Sequence, residues 1–197
     1  MNFLAHQFLS GNEEGLRIGN FIADAVKGTP SASLGQGVIR GITLHRRIDS
    51  YTDSHPIVLK SIKRLRDRHG KFAGVVVDIC YDHFLAKNWK MYSDQELWEY
   101  VNDCYALMLK HKHQLPERIQ QMLPYMVKGN WLYNYRTLDG MDRVFKGMAR
   151  RTQFDANMSS AMKDLWMDYQ EYEAEFSEFF PEIRAYVDSL LSGAELK

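Results

Sequence analysis

The sequence has little with which to staple itself together. Cysteine occurs twice in 197 residues, at Cys80 and Cys104, and never as C-x-x-C. That excludes a disulfide framework and a cysteine-ligated zinc as organising devices. No apolar run approaches the ~20 residues needed to span a bilayer. Met1-Asn-Phe-Leu-Ala-His6 lacks the basic start and long apolar stretch of a secretory signal, so the expected compartment is the cytoplasm. Neither sign of charge prevails, with Lys+Arg and Asp+Glu at 25 each. Bulk attraction to nucleic acid or to an anionic membrane is not expected. G-x-S-x-G, a Walker loop, H-E-x-x-H and a Gly-rich dinucleotide loop are all missing, as are helix–turn–helix and zinc-finger patterns. There is no repeat, low-complexity tract or linker, and residues 1–197 read as a single domain.

What is present is helical period almost throughout, and plentiful aromatics (Trp 4, Tyr 11, Phe 10). The expected class is all-α. Helices are predicted over 14–27, 33–51 and 56–69, ended by Gly-Thr-Pro after the first and by Gly70 after the last. Residues 72–89 are apolar nearly all round and read as a central buried helix. Ser93 with Glu96 reads as a capping box for a helix ending near Lys110. Pro116 starts another to about Lys128, a short connection follows, and 138–150 is helical. Met158, Met162, Leu165, Tyr169, Tyr172, Phe176 and Phe179 form a four-three stripe, a packing seam on a long helix over 157–180. Pro181 is expected to break it before a last helix.

Charge is unevenly placed. Nine basic and three acidic residues lie between Arg40 and Lys71; nine acidic and three basic lie between Lys163 and Lys197. Lys60, Lys63, Arg64, Arg66 and Arg68 share one helix and offer a docking face for an acidic partner, or simply a solvated face.

The chemistry concentrates in two places. His45, Asp49 and Asp53 follow one another at four-residue spacing, which puts them on one side of a helix. Asp53, and His55 before Pro56, read as cap and turn positions. On the buried helix, Asp78 and Asp82 require neutralisation, by Arg46 or Arg47 or by a metal ion, and the Asp82-His83 doublet reads as ligands. With His6 and Asp24, the set His6, Asp24, His45, Asp49, Asp82 and His83 has the mixed N/O character that suits Mn²⁺, Fe²⁺ or Zn²⁺. Helical proteins assemble such sites from facing helices.

At these residues the chain resembles the bacterial acyl carrier protein phosphodiesterases, regarded as a variant branch of the HD-type metal-dependent phosphohydrolases. The resemblance rests on an ordered set of blocks: Met1-Asn-Phe-Leu-Ala-His6, Gly19-Asn-Phe-Ile-Ala-Asp24, and His45-Arg-Arg-Ile-Asp49 through Thr52-Asp53. It continues through Asp78, Asp82-His-Phe-Leu85, Trp89, Trp131-Leu132, Tyr135 and Phe180-Pro181. It implies an all-helical HD-like domain that hydrolyses the phosphodiester between 4′-phosphopantetheine and a serine of holo-acyl carrier protein. The implied cofactor is a divalent ion, Mn²⁺ foremost, with Mg²⁺, Fe²⁺ or Zn²⁺ as alternatives. The motif positions fall on Asp24, His45, Asp49, Asp82 and His83, with Arg46 or Arg47 expected to face the phosphate and the basic helix to dock the acidic carrier. The doublet runs Asp-His rather than His-Asp, Phe8 replaces a histidine common in relatives, and Asn88 replaces another before Trp89. Two other readings remain open: a phosphohydrolase acting on a different phosphoester such as a nucleotide, and a non-catalytic helical module that holds acyl carrier protein.

Overall fold

Residues 73–87 are the axis on which the rest is assembled. In the computed structural model, which describes residues 1–149 and 160–193, this segment is α5 (Ala73–Lys87). Val76, Val77, Ile79, Cys80, Tyr81, Phe84 and Leu85 are all buried, so the helix is covered on every side. Burial of each such side chain contributes about 1.5–3 kcal/mol.

Around it lie α1 (Phe3–Leu9), α2 (Glu14–Ile22), α3 (Gln36–Ser54), α4 (Pro56–His69), α6 (Leu97–Lys110), α7 (Glu117–Lys128), α8 (Trp131–Asn134), α9 (Leu138–Ala149), α10 (Ala161–Met167) and α11 (Tyr169–Ser192). Short 3₁₀ turns join several of them, and no strand occurs among the described residues. The chain is all-α.

Three local expectations are corrected. Ser93 and Glu96 do not form a capping box: Ser93 Oγ accepts only from the Gln95 amide, and α6 begins after Glu96 without a side-chain cap. Asp53 is not a cap either, since α3 runs on to Ser54 and the extended His55 joins it to α4. The long helix breaks at Asp168, not at Pro181. Pro181 is exposed and loses one backbone hydrogen bond, but buried Phe176, Phe179, Phe180, Ile183 and Val187 hold α11 on both sides of it. Leu165, Tyr172, Phe176 and Phe179 of the expected seam are buried; Met158 and the expected helix start lie outside the described residues.

The two charge-biased segments meet each other. Arg64 makes a bidentate pair with Glu175, with both distances 2.6 Å, and Lys60 lies 3.1 Å from the same carboxylate. Arg68 pairs with Asp164 at 2.7 Å. Ser61 donates to Glu175 at 2.5 Å and lies 2.9 Å from the Tyr81 hydroxyl. Three of the five basic side chains of α4 are thus engaged within the chain, and among the described residues Lys63 and Arg66 are exposed without a pairing of this kind.

The tightest crossing is that of α2 on α3. Gly15 lies over Gly37, and Gly19 over Gly41. A Cβ built on Gly41 would sit 2.4 Å from the Leu16 carbonyl oxygen; one on Gly19 would sit 2.0 Å from the Val38 oxygen. Only glycine permits this approach. It sets Asn20 and Asp24, which follow Gly19, against His45 and Asp49, which follow Gly41.

Candidate metal centre

The crossing delivers a cluster built from two helices and a turn. His45 and Asp49 stand one turn apart on α3, His6 comes from α1, and Asp24 from the turn after α2. Asp49 bridges the imidazoles: its Oδ1 lies 3.1 Å from His6 Nε2 and its Oδ2 3.1 Å from His45 Nε2. Asp24 Oδ1 is 3.3 Å from His45 Nε2. The two rings stack with centroids 4.1 Å apart. One ligand atom each from His6, His45 and Asp49 falls within 4.8 Å of the others. They face a cavity of about 180 Å³ that Asp24, Asp53 and Asp78 also line.

The orientation of His45 is set by Asn20. The Asn20 amide nitrogen donates to the His6 carbonyl at 3.0 Å and to Ser10 Oγ at 2.7 Å, which leaves its Oδ1 to accept. His45 Nδ1 lies 2.9 Å from that oxygen and is therefore assigned the proton. In its neutral, metal-binding form the ring then presents the Nε2 lone pair to the cavity. Asn20 is 1 % exposed. Its role was missed in sequence; the signal was a lone amide on the apolar side of α2.

The electrostatics are those of a donor set converging on a point. Burial disfavours the His45 imidazolium, but Asp24 and Asp49 outweigh it and raise the group to about 9. Burial also works against ionised Asp49, yet His45 and His6 hold its carboxyl well below the usual range. His6, more deeply buried, is pushed down by desolvation despite Asp49. The contact with His45 lowers Asp24. Although two carboxylates approach His45 Nε2, neither makes a directed hydrogen bond with it. A buried ring nitrogen aimed between oxygens rather than at one is the arrangement a shared cation satisfies. Two nitrogens and two carboxylates fit Mn²⁺, Fe²⁺ or Zn²⁺, and the open side toward the cavity leaves room for water and substrate oxygens.

The structure does not bring Asp82 and His83 into this cluster. Asp82, fully buried on α5, accepts from the backbone N–H groups of Asn2 (3.2 Å), Leu4 (2.8 Å) and Ala5 (3.2 Å). It anchors the start of α1 and so positions His6; burial pushes its carboxyl up to about 7, against the pull of the Met1 ammonium and these amides. His83 Nδ1 lies 2.6 Å from the Tyr135 carbonyl oxygen and its Nε2 2.7 Å from the Tyr169 hydroxyl. Asp78 takes the Met1 α-ammonium at 2.8 Å, not Arg46 or Arg47. Arg46 donates to the carbonyls of Val26 and Gly28 at 3.0 and 2.7 Å, which ties down the turn behind Asp24. Arg47 is exposed, and neither arginine lines a cavity at the cluster. His55 lies 3.2 Å from Glu182, away from the site. None of the five basic residues of α4 lines the cavity.

The Asn20 contact carries a prediction. In Asn20→Leu, His45 loses the acceptor that fixes its tautomer. Metal affinity is expected to fall about 10–100-fold with the helical content unchanged. A competition titration against a chromophoric chelator checks it; unchanged affinity would contradict the assigned tautomer.

No solved structure matches. The family model described as acyl carrier protein phosphodiesterase matches residues 1–183. The acyl carrier protein phosphodiesterase of Photorhabdus laumondii subsp. laumondii is 33% identical over 182 residues, covering 92% of each chain. That of Escherichia coli O139:H28 is 36% identical over 193 residues, covering 94% of this chain and 96% of its own. That of Serratia proteamaculans is 31% identical over 184 residues, covering 93% and 95%. With the match running from before His6 to beyond Pro181, the chain belongs to the acyl carrier protein phosphodiesterase family.

Proposed function

We propose that this chain is a divalent-metal-dependent phosphodiesterase of the cytoplasm. It hydrolyses the bond between 4′-phosphopantetheine and the serine of holo-acyl carrier protein. The observation that carries the reading is the His6–His45–Asp49 cluster, completed by Asp24, in a chain of this family. The absence, among the described residues, of any helix long and apolar enough to cross a membrane agrees with the compartment.

His6, His45, Asp49 and Asp24 would hold the ion, most simply Mn²⁺. When bound, such an ion supplies Lewis acidity, lowering the pKa of a water and polarising a phosphate oxygen. The rest falls to the protein. Asn20 holds the His45 ring with its lone pair toward the cavity. Asp82 holds α1, and with it His6, in place. Asp53 lines the same cavity, and burial together with Asp78 and Asp49 keeps its carboxyl above the ordinary value. It is the group best suited to exchanging a proton there. In the net reaction a water oxygen bonds to phosphorus, the phosphorus–serine oxygen bond breaks, and a proton ends on the serine. The products are apo-carrier and 4′-phosphopantetheine.

The test is incubation with holo-acyl carrier protein and Mn²⁺, followed by intact mass. The carrier is expected to lose the mass of the 4′-phosphopantetheinyl group; an unchanged mass with metal-loaded protein would sink the reading. A second expectation follows from His45. Without metal its pKa lies near 9, so at pH 7.5 it carries a proton that a metal ion must displace. Metal affinity should therefore rise with pH up to about 9, by at most about tenfold per pH unit. Calorimetry in buffers of different ionisation enthalpy should read close to one proton released per ion. Zero release at pH 7.5 would contradict ligation by His45.

A further inference from the structure

The metal cluster's cavity is small and lined by carboxylates and imidazoles, but a second one adjoins it. This larger cavity, about 440 Å³, shares Met1, Asn2, Phe3, Asp24 and Asp78 with the first. Its remaining walls differ in chemistry. Val75, Met122, Trp131 and Val144 supply apolar surface, while Arg118, Asn134 and Arg143 supply hydrogen-bond donors. Its volume lies in the range of sites that enclose small organic ligands.

We infer that this cavity binds the pantetheine arm of the substrate, an inference that rests on the proposed function. A phosphodiester at the cluster has two substituents. The carrier is a folded protein and must stay outside. The arm is thin, uncharged between phosphate and sulfur, and made of methylenes, methyls and two amides, so it is the substituent that can enter. It needs apolar walls with a few donors for its amide carbonyls, and the larger cavity provides both where it meets the cluster at Asp24. The 180 Å³ cavity, walled by Asp49, Asp53, Asp78, His6 and His45, provides neither the space nor the walls.

The Trp131 wall is built, not incidental. Asn130 takes a left-handed conformation (φ 45°), and a Cβ on Gly129 would sit 2.6 Å from Trp131 Nε1, so glycine is what lets the indole fold back on the turn. The next amide, Leu132 N–H, donates to the buried Tyr105 hydroxyl at 2.9 Å. Arg143 donates to Asn134 Oδ1 at 3.4 Å, and Asn134 Nδ2 donates to the Gly129 carbonyl at 2.7 Å, so the turn holds Arg143 at the cavity. Neither Arg118 nor Arg143 was singled out in the sequence, because each sits in an ordinary amphipathic helix.

Two measurements test this. In Val144→Trp the indole projects into the cavity and narrows it. Its kcat/KM for holo-acyl carrier protein is expected to fall at least 100-fold. Mn²⁺ content should stay within twofold of wild type, with the helical circular dichroism unchanged. Full activity on the holo-carrier would overturn the inference. The second measurement needs no folded variant: wild-type protein labelled with ¹⁵N is titrated with pantetheine, which lacks the phosphate. The Trp131 indole resonance, assigned with Trp131→Phe, should shift to saturation. The indoles of Trp89, Trp98 and Trp166, none of which lines the cavity, should not move. No Trp131 shift at 10 mM pantetheine would overturn the inference, including the case where Val144→Trp loses its Mn²⁺ or its fold. If the wild type leaves the holo-carrier intact, the functional reading fails instead, and the titration alone then decides whether the cavity takes the arm.

Discussion

Gly41→Ala should lower the thermal midpoint by about 6–20 °C and weaken metal binding in the same variant. The new methyl would lie 2.4 Å from the Leu16 carbonyl oxygen and 2.8 Å from Gly19 Cα. Both are backbone atoms of α2, so no rotamer change relieves the clash and the helices must separate. Overpacking that side chains can absorb costs about 1–3 kcal/mol. Where backbone must yield, roughly 3–5 kcal/mol is expected, and each kcal/mol shifts the midpoint of a chain this size by about 2–4 °C. Separation also acts on the metal centre. Asn20 follows Gly19 and His45 lies one turn past Gly41, so their 2.9 Å contact cannot survive a shift of about 1 Å. Thermal unfolding by circular dichroism and a Mn²⁺ titration on the same sample check both parts. Gly35→Ala is the control: a Cβ there meets nothing within 4 Å, and its midpoint should stay within about 2 °C. A Gly41→Ala protein that melts like wild type would show that the crossing is not the constraint we describe.

Asp49→Ala should abolish metal retention and reduce phosphodiester hydrolysis by about 1,000-fold or more, while leaving the fold nearly as stable as before. Among the described residues Asp49 is the one carboxylate between both imidazoles, at 3.1 Å from each, and its side chain is 41% exposed. Its removal takes away an oxygen ligand and the counter-charge that keeps His45 basic, but opens no core cavity. Asp82→Ala makes the informative contrast. That carboxylate is buried and satisfies three backbone amides at the start of α1. Each buried donor left without an acceptor costs about 1–3 kcal/mol, so this variant should lose stability first and activity through displacement of His6. Metal analysis, activity and melting of the two variants together separate a ligand from a structural carboxylate. An Asp49→Ala protein that keeps its metal and its turnover would sink the assigned centre.

Much of the centre was legible in the chain. Helical period requires residues four apart to share a face, so His45 and Asp49 had to stand together wherever the helix went. The same period gave the all-α class, and the apolar circumference of 73–87 marked it as central. The Gly-x-x-x-Gly spacings at Gly15–Gly19 and Gly37–Gly41 were there to be read as a close crossing, though nothing in them says which helix meets which.

That choice of neighbour is what tertiary structure alone decided. Adjacent helical residues point about 100° apart, and here Asp82 and His83 face different neighbours. Asp82 met the free N–H groups at the start of α1, and His83 met Tyr135 and Tyr169. The basic face of α4 met the acidic helices at the other end of the sequence. Asp168 rather than Pro181 became the break, because aromatic burial on both sides of the proline outweighs one lost hydrogen bond. Spacing along a helix determines which side chains travel together. Which cation, amide or ring they arrive beside depends on contacts between residues far apart in sequence, and local period carries no record of those.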